Sequence, residues 1–128
     1  MPDELYEEGM RMRRSVLGDE HVERAEANKT SFDADFQQFL VETAWGAVWS
    51  RPGLDVRSRH LITIAMLAAL GKEHELELHI RATQNTGITQ EEVREVLLQV
   101  ALYAGIPTAN SAHAVAKKVY EQMKGEKK

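Results

Sequence analysis

The sequence predicts an all-α fold: a single-domain bundle of about six helices that oligomerises through an apolar one. Three observations carry that expectation. Apolar residues recur at three- and four-residue spacing along most of the chain. No stretch alternates apolar and polar residues strictly between turn residues, as a half-buried strand would. Glycine, proline and capping residues stand where the helical runs stop. The 128 residues make one domain, 1–128, with one modest core.

In chain order, a first amphipathic segment runs from about Asp3 to Leu17 and stops at Gly18, and a short piece follows from Asp19. "TSFDADFQQFLVETAWGAVWSRPG" reads as a helix capped by Thr30 or Ser31 and ended before Pro52-Gly53. It places Phe32, Phe36, Phe39, Leu40 and Thr43 on one face. Asp55 can cap the next helix, roughly 56–70, which closes at Gly71. The segment from Lys72 to about Thr86 closes at Gly87. Thr89 and Glu92 then form a capping box, opening a helix that turns Val93, Val96, Leu97, Val100 and Ala101 inward and ends at Gly105. Pro107 opens a last helix through about Lys124. The helix "RHLITIAMLAALG" is apolar nearly all round. Six helices of this length rarely enclose one fully, so its second face is expected to meet another subunit.

Composition removes several function classes. With 16 basic and 20 acidic residues the formal charge is −4, so no basic footprint argues for nucleic acid. An anionic ligand would need locally placed arginines. The chain has no cysteine, which excludes disulfides, thiolate metal sites and thiol redox catalysis. No basic-then-apolar leader opens the chain, and the longest apolar run, "IAMLAAL", is too short to span a bilayer. A cytoplasmic enzyme or binding domain without a membrane role is expected.

The chemistry concentrates in "GKEHELELHIRA", residues 71–82. His74 and His79 are five apart, so about 140° of helix separates them and they do not share a metal; the zinc-protease spacing is four. No metal is expected. Glu75 and His79 are four apart and share a face, with Lys72 one turn earlier. A carboxylate beside an imidazole suits proton transfer near neutral pH, whereas the plainer reading is an ion pair on a wet surface. Leu76, Leu78 and Ile80 among the polar positions leave little of this helix purely solvated, which favours the first. Glu73, Glu77, Arg81 and His74 read as the outer face. His60 and His113 are each more commonly satisfied core or interface residues than catalysts, and His21 has no evident partner. Arg51, Arg57 and Arg59 flank the entry to the apolar helix, and Arg81 follows His79. Guanidinium forks hold carboxylates at two points, and arginines in a first helical turn oppose the dipole. Ordinary surface arginines are the competing reading.

The run "WGAVWSRPGLDVRSRHLITIAMLAALGKEHELELHIRATQNTGITQEEVREVLLQVALYAGIPTANSAHAV" resembles the 4-carboxymuconolactone decarboxylases, and the upstream "GMRMRRSVLGDEHV" resembles the start of that family. "RPGLD", "HELELHI" and "EEVREVLLQVALYAGIP", with their spacing, carry the likeness. The wider superfamily includes alkylhydroperoxidase-type proteins with a glutamate, a CxxC pair and a histidine four residues after the second cysteine. On that pattern His79 matches the histidine, Lys72 and Glu75 stand at the cysteine positions, and His60 stands at the glutamate position. Peroxidase chemistry needs those thiols, so the likeness points to the decarboxylase branch.

The resemblance implies an all-α chain assembled as a ring, a hexamer or trimer, with sites near subunit contacts. It implies cofactor-free loss of carbon dioxide from a dicarboxylated unsaturated lactone, giving the 3-oxoadipate enol-lactone. His79 is then the expected proton donor and Glu75 its orienting neighbour. Arg59, with Arg57 or Arg81, would anchor carboxylates, and Lys72 or His60 would stabilise the enolate oxygen. Trp45 and Trp49 would form a wall or interface, although plain core packing is their commoner role. Two other readings stay open: a related decarboxylase acting on another small unsaturated or keto acid, and a non-catalytic oligomeric binding protein of the same fold.

Overall fold

Helix α1 spans Pro2–Leu17 and α2 spans Asp19–Asn28, separated by Gly18 as its place in the sequence suggests. This computed structural model describes residues 2–126. After α2 come α3 (Ala34–Leu40), a π-helical segment (Val41–Trp49), α4 (Val56–Ala69), α5 (Glu73–Thr86), α6 (Gln90–Ala104) and α7 (Ile106–Glu126), with no strand among the described residues. The helices group into two compact units that divide between Val56 and Arg57.

In the first unit, α1 packs against the π segment, and two glycines let the backbones touch. A Cβ on Gly9 would run into the carbonyl of Val41 and the amide of Gly46. One on Gly46 would stand 2.5 Å from the carbonyl oxygen of Leu5. Val16, Leu17, Val22, Val41 and Trp45 are the buried apolar residues here. Trp45 and Trp49 stack with ring centroids 4.7 Å apart.

This unit departs from the sequence expectation in three ways. Thr30 does not cap a helix directly. Its carbonyl accepts from Asp33 and Ala34, and its amide donates to the Asp33 carboxylate, so a folded turn precedes α3. The helix then widens into π geometry from Val41, a rare form that no spacing rule anticipates. Phe32, Phe36 and Phe39 are 96%, 61% and 60% exposed, so the aromatic face is real but uncovered. Across the described residues there are seven α-helices besides the π segment, in keeping with an all-α bundle of about six.

The second unit follows the sequence closely. Ile64 and Ala68 of α4, Leu76 and Ile80 of α5, Val93, Leu97 and Val100 of α6 and Ala109, Ala112, Ala116 and Val119 of α7 form its core. Gly87 ends α5 in the left-handed conformation (φ 76°) that favours glycine, and its amide closes on the Thr83 carbonyl. Thr89 and Glu92 make both bonds of the capping box. Helix α4 buries His60, Ile64 and Ala68 on one side while Ile62 and Met66 stay exposed on the other. No helix among the described residues is long and apolar enough to cross a membrane.

Candidate active site

Two helices of the second unit bring together the residues with chemical potential. His79 lies on the inner face of α5, 8% exposed, between the core residues Leu76 and Ile80. His60, in the second turn of α4, is fully buried. Their rings meet edge to face, with centroids 5.3 Å apart and planes 69° apart. The Nδ1 of His60 lies 2.7 Å from Oγ1 of Thr86, the last residue of α5. Thr86 is seven residues, two turns, beyond His79, so the two share a face of α5. That spacing is the one signal for Thr86 in the sequence, and a weak one, because threonine at a helix end has no distinctive chemistry.

The other expected residues are placed less uniformly. Glu75 is exposed one turn before His79 and makes no hydrogen bond or ion pair with it. Lys72 is exposed at the N-cap of α5, where its carbonyl accepts from Leu76 at 2.8 Å. His74 is exposed, away from His79, as the five-residue spacing requires. Arg59 is half-buried on the first turn of α4. Arg57, on the same turn, is ion-paired with Glu92. Arg81 donates to both carboxylate oxygens of Glu126 and to Gln122, each at 2.8 Å, so it braces α5 against α7. Those partners, Glu92, Gln122 and Glu126, are 35, 41 and 45 residues away in sequence, beyond any local spacing rule. His113 satisfies itself by donating from Nδ1 to the Ala109 carbonyl at 2.7 Å. Trp45 is buried and Trp49 half-buried in the first unit.

A cavity of about 520 Å³ opens one turn along α5 from His79, lined by Thr83, Gln84, Ile88, Gln90, Tyr120 and Lys124 among others. Its wall includes Tyr120, whose hydroxyl is buried without a hydrogen-bond partner and whose pKa burial pushes up to about 12. The cavity presents Tyr120, Lys124 and the carboxylate Glu121, and His79 lies one turn away from its lining residue Thr83.

Residues 34–118 match the Carboxymuconolactone decarboxylase family. The chain is 46% identical over 121 residues to the 4-carboxymuconolactone decarboxylase of Acinetobacter baylyi, covering 94% of this chain and 90% of that one. The chain belongs to the carboxymuconolactone decarboxylase family. It is also 42% identical over 126 residues to the nitrosuccinic acid decarboxylase npaB of Metarhizium robertsii, covering 97% and 88% of the two chains. A third relative, an uncharacterized 15.0 kDa protein of Paracoccus denitrificans, is 29% identical over 65% of this chain and 63% of its own.

As a member of the carboxymuconolactone decarboxylase family this chain has no thiol to run peroxide chemistry, since it contains no cysteine. Its buried imidazole pair has a consequence for stability. Burial lowers the pKa of His60 from 6.5 to about 4, with the His79 backbone opposing the shift. The unfolded chain therefore takes up a proton below pH 6.5 that the folded chain refuses. Stability is fully present above that pH, declines as pH falls and has lost this contribution near pH 4, on the order of 3 kcal/mol in all. Denaturant unfolding at pH 7, 5.5 and 4.5 is expected to show a steeper decline for the wild type than for His60→Gln. Equal slopes would mean that His60 is not the group responsible.

Proposed function

We propose that the protein is a cofactor-independent carboxy-lyase that removes carbon dioxide from 4-carboxymuconolactone to give the 3-oxoadipate enol-lactone. The observation that supports this most is the 46% identity to a 4-carboxymuconolactone decarboxylase over nearly all of both chains. The departing carboxylate sits on the ring carbon gamma to the lactone carbonyl. When its bond to the ring breaks, the electron pair passes through the double bond to the carbonyl oxygen, so the substrate is its own electron sink. The protein has three tasks: hold the carboxylates, stabilise the enolate and protonate the carbon alpha to the carbonyl.

His79 is the proposed proton donor, because it is shielded on the inner face of α5 and sits one turn from the cavity. Glu75, one turn before it, is proposed to steer that ring once substrate is bound, and Lys72 to stabilise the enolate oxygen. Arg59, half-buried on the first turn of α4, is the proposed carboxylate anchor, with Arg57 or Arg81 as the alternatives. His60, held near pKa 4, contributes as a neutral ring. Trp45 and Trp49, stacked on each other in the first unit, are proposed as an apolar wall or interface of that unit.

The relative named nitrosuccinic acid decarboxylase supports a second reading, a small dicarboxylate carrying a nitro group as its electron sink. Carbon dioxide release measured with the purified protein separates the two. Rapid turnover of the lactone, with nitrosuccinate far slower, is the expected result. The reverse ranking would transfer the assignment to the second substrate. No release from either acid would leave the non-catalytic binding reading.

Self-association is part of the proposal. The exposed side of α4, with Ile62 and Met66, joins Tyr103 and Ala104 of α6 around an apolar groove of about 460 Å³. Exposed apolar surface of this continuity marks an association site. A hexamer or trimer in the cytoplasm is the proposed form, and a sedimentation mass equal to the 14.5 kDa monomer would remove it.

A further inference from the structure

We infer that Thr86 is a positioning residue of the histidine pair: its hydroxyl donates to Nδ1 of His60, holds that ring as the Nε2–H tautomer, and so fixes the surface against which the His79 imidazole is seated. The distance is 2.7 Å. Three other helical threonines behave differently. Thr43, Thr63 and Thr83 each turn the hydroxyl back on a carbonyl of their own helix, at 2.7, 2.8 and 2.6 Å. The hydroxyl of Thr86 is directed to His60 instead.

A neutral imidazole has one donor nitrogen and one acceptor nitrogen, and the partner of one decides the role of the other. The ring of His60 is neutral at physiological pH because burial lowers its pKa to about 4, so a single tautomer must be selected. An O–H proton on the Nδ1 side selects Nε2–H. The backbone of His79 also acts on His60, against the effect of burial. His60 is thereby gripped by α5 at two levels, at His79 and two turns later at Thr86. The position of Thr86 is itself set by the helix end, since Gly87 follows in the left-handed conformation and closes on the Thr83 carbonyl at 2.9 Å. Its consequence for turnover rests on His79 being the proton donor; the tautomer of His60 does not.

Thr86→Val keeps the shape and removes the hydroxyl, while Thr86→Ser keeps the hydroxyl. Long-range proton–nitrogen NMR spectra, assigned with His60→Gln, read the tautomer directly. In the wild type and in Thr86→Ser, Nδ1 of His60 is expected to lack its proton. In Thr86→Val the two forms are expected to mix, with a shift of the His79 resonances. On the lactone, Thr86→Val is expected to lower kcat about tenfold with KM nearly unchanged, and Thr86→Ser to recover most of it. A proton on Nδ1 in the wild type would overturn the inference. So would wild-type kcat and unmoved His79 resonances in Thr86→Val. If the wild type turns over neither acid, the proposed function fails, whereas the NMR comparison still decides the tautomer.

Discussion

His79→Ala is expected to lower turnover of the lactone by about a hundred- to ten-thousandfold, the range a general acid supplies. The enolate formed by loss of carbon dioxide must be protonated on carbon, and water enters poorly beside a side chain that is only 8% exposed. Folding should survive. The variant leaves a void next to Leu76 and Ile80, which costs stability without removing the core that those residues share with α6 and α7. Circular dichroism and sedimentation would therefore match the wild type while carbon dioxide release collapses. His79→Gln, which fills the space and hydrogen-bonds but cannot serve as the acid, should be as inactive as the alanine variant. Near-normal turnover in either variant would refute the assignment. Collapse of the fold in His79→Ala alone would leave His79→Gln to decide it.

The second unit was largely legible because its signals are local. Gly71, Gly87 and Gly105 mark helix ends, Thr89 and Glu92 cap α6, and the inward positions of α6 follow from spacing. The shielding of His79 was partly legible, since Leu76, Leu78 and Ile80 left little of α5 free to be purely solvated. The pairing of His60 with His79 was not derivable from spacing, because nineteen residues and a turn separate them. Only the family likeness placed both in one site, and the structure supplied their edge-to-face contact. The ion pairs of the arginines were not legible either. Arg57 and Arg81 looked available for carboxylates because their partners, Glu92 and Glu126 with Gln122, come from distant helices. Glu75 shares the face of His79 by angle, yet a shared face does not make a hydrogen bond when one side chain is buried and the other reaches water. The π segment is the remaining gap. Its residues have ordinary helical periodicity, and the widened geometry arises in the piece of chain that packs on α1 through Gly9 and Gly46.

That glycine crossing sets the second large effect, expected in Gly9→Ala. A single methyl group there meets backbone atoms, the carbonyl of Val41 and the amide of Gly46, which cannot rotate away as a side-chain tip would. Helix α1 must move off the π segment, and the apolar contacts around Val16, Val41 and Trp45 loosen with it. Overpacking usually costs 1–3 kcal/mol, and more where the obstacle is rigid, so a loss above about 4 kcal/mol is expected here. On a domain of this size that lowers Tm by roughly 10 °C or more. Gly46→Ala, facing the Leu5 carbonyl, should behave similarly. Gly53→Ala and Gly125→Ala provide the contrast, since a Cβ at either position meets nothing within 4 Å and their Tm should stay close to the wild type. Thermal melts of the four variants would decide the matter. If Gly9→Ala melted with the Gly53 and Gly125 variants, the close approach of the two backbones could not be what holds the first unit together.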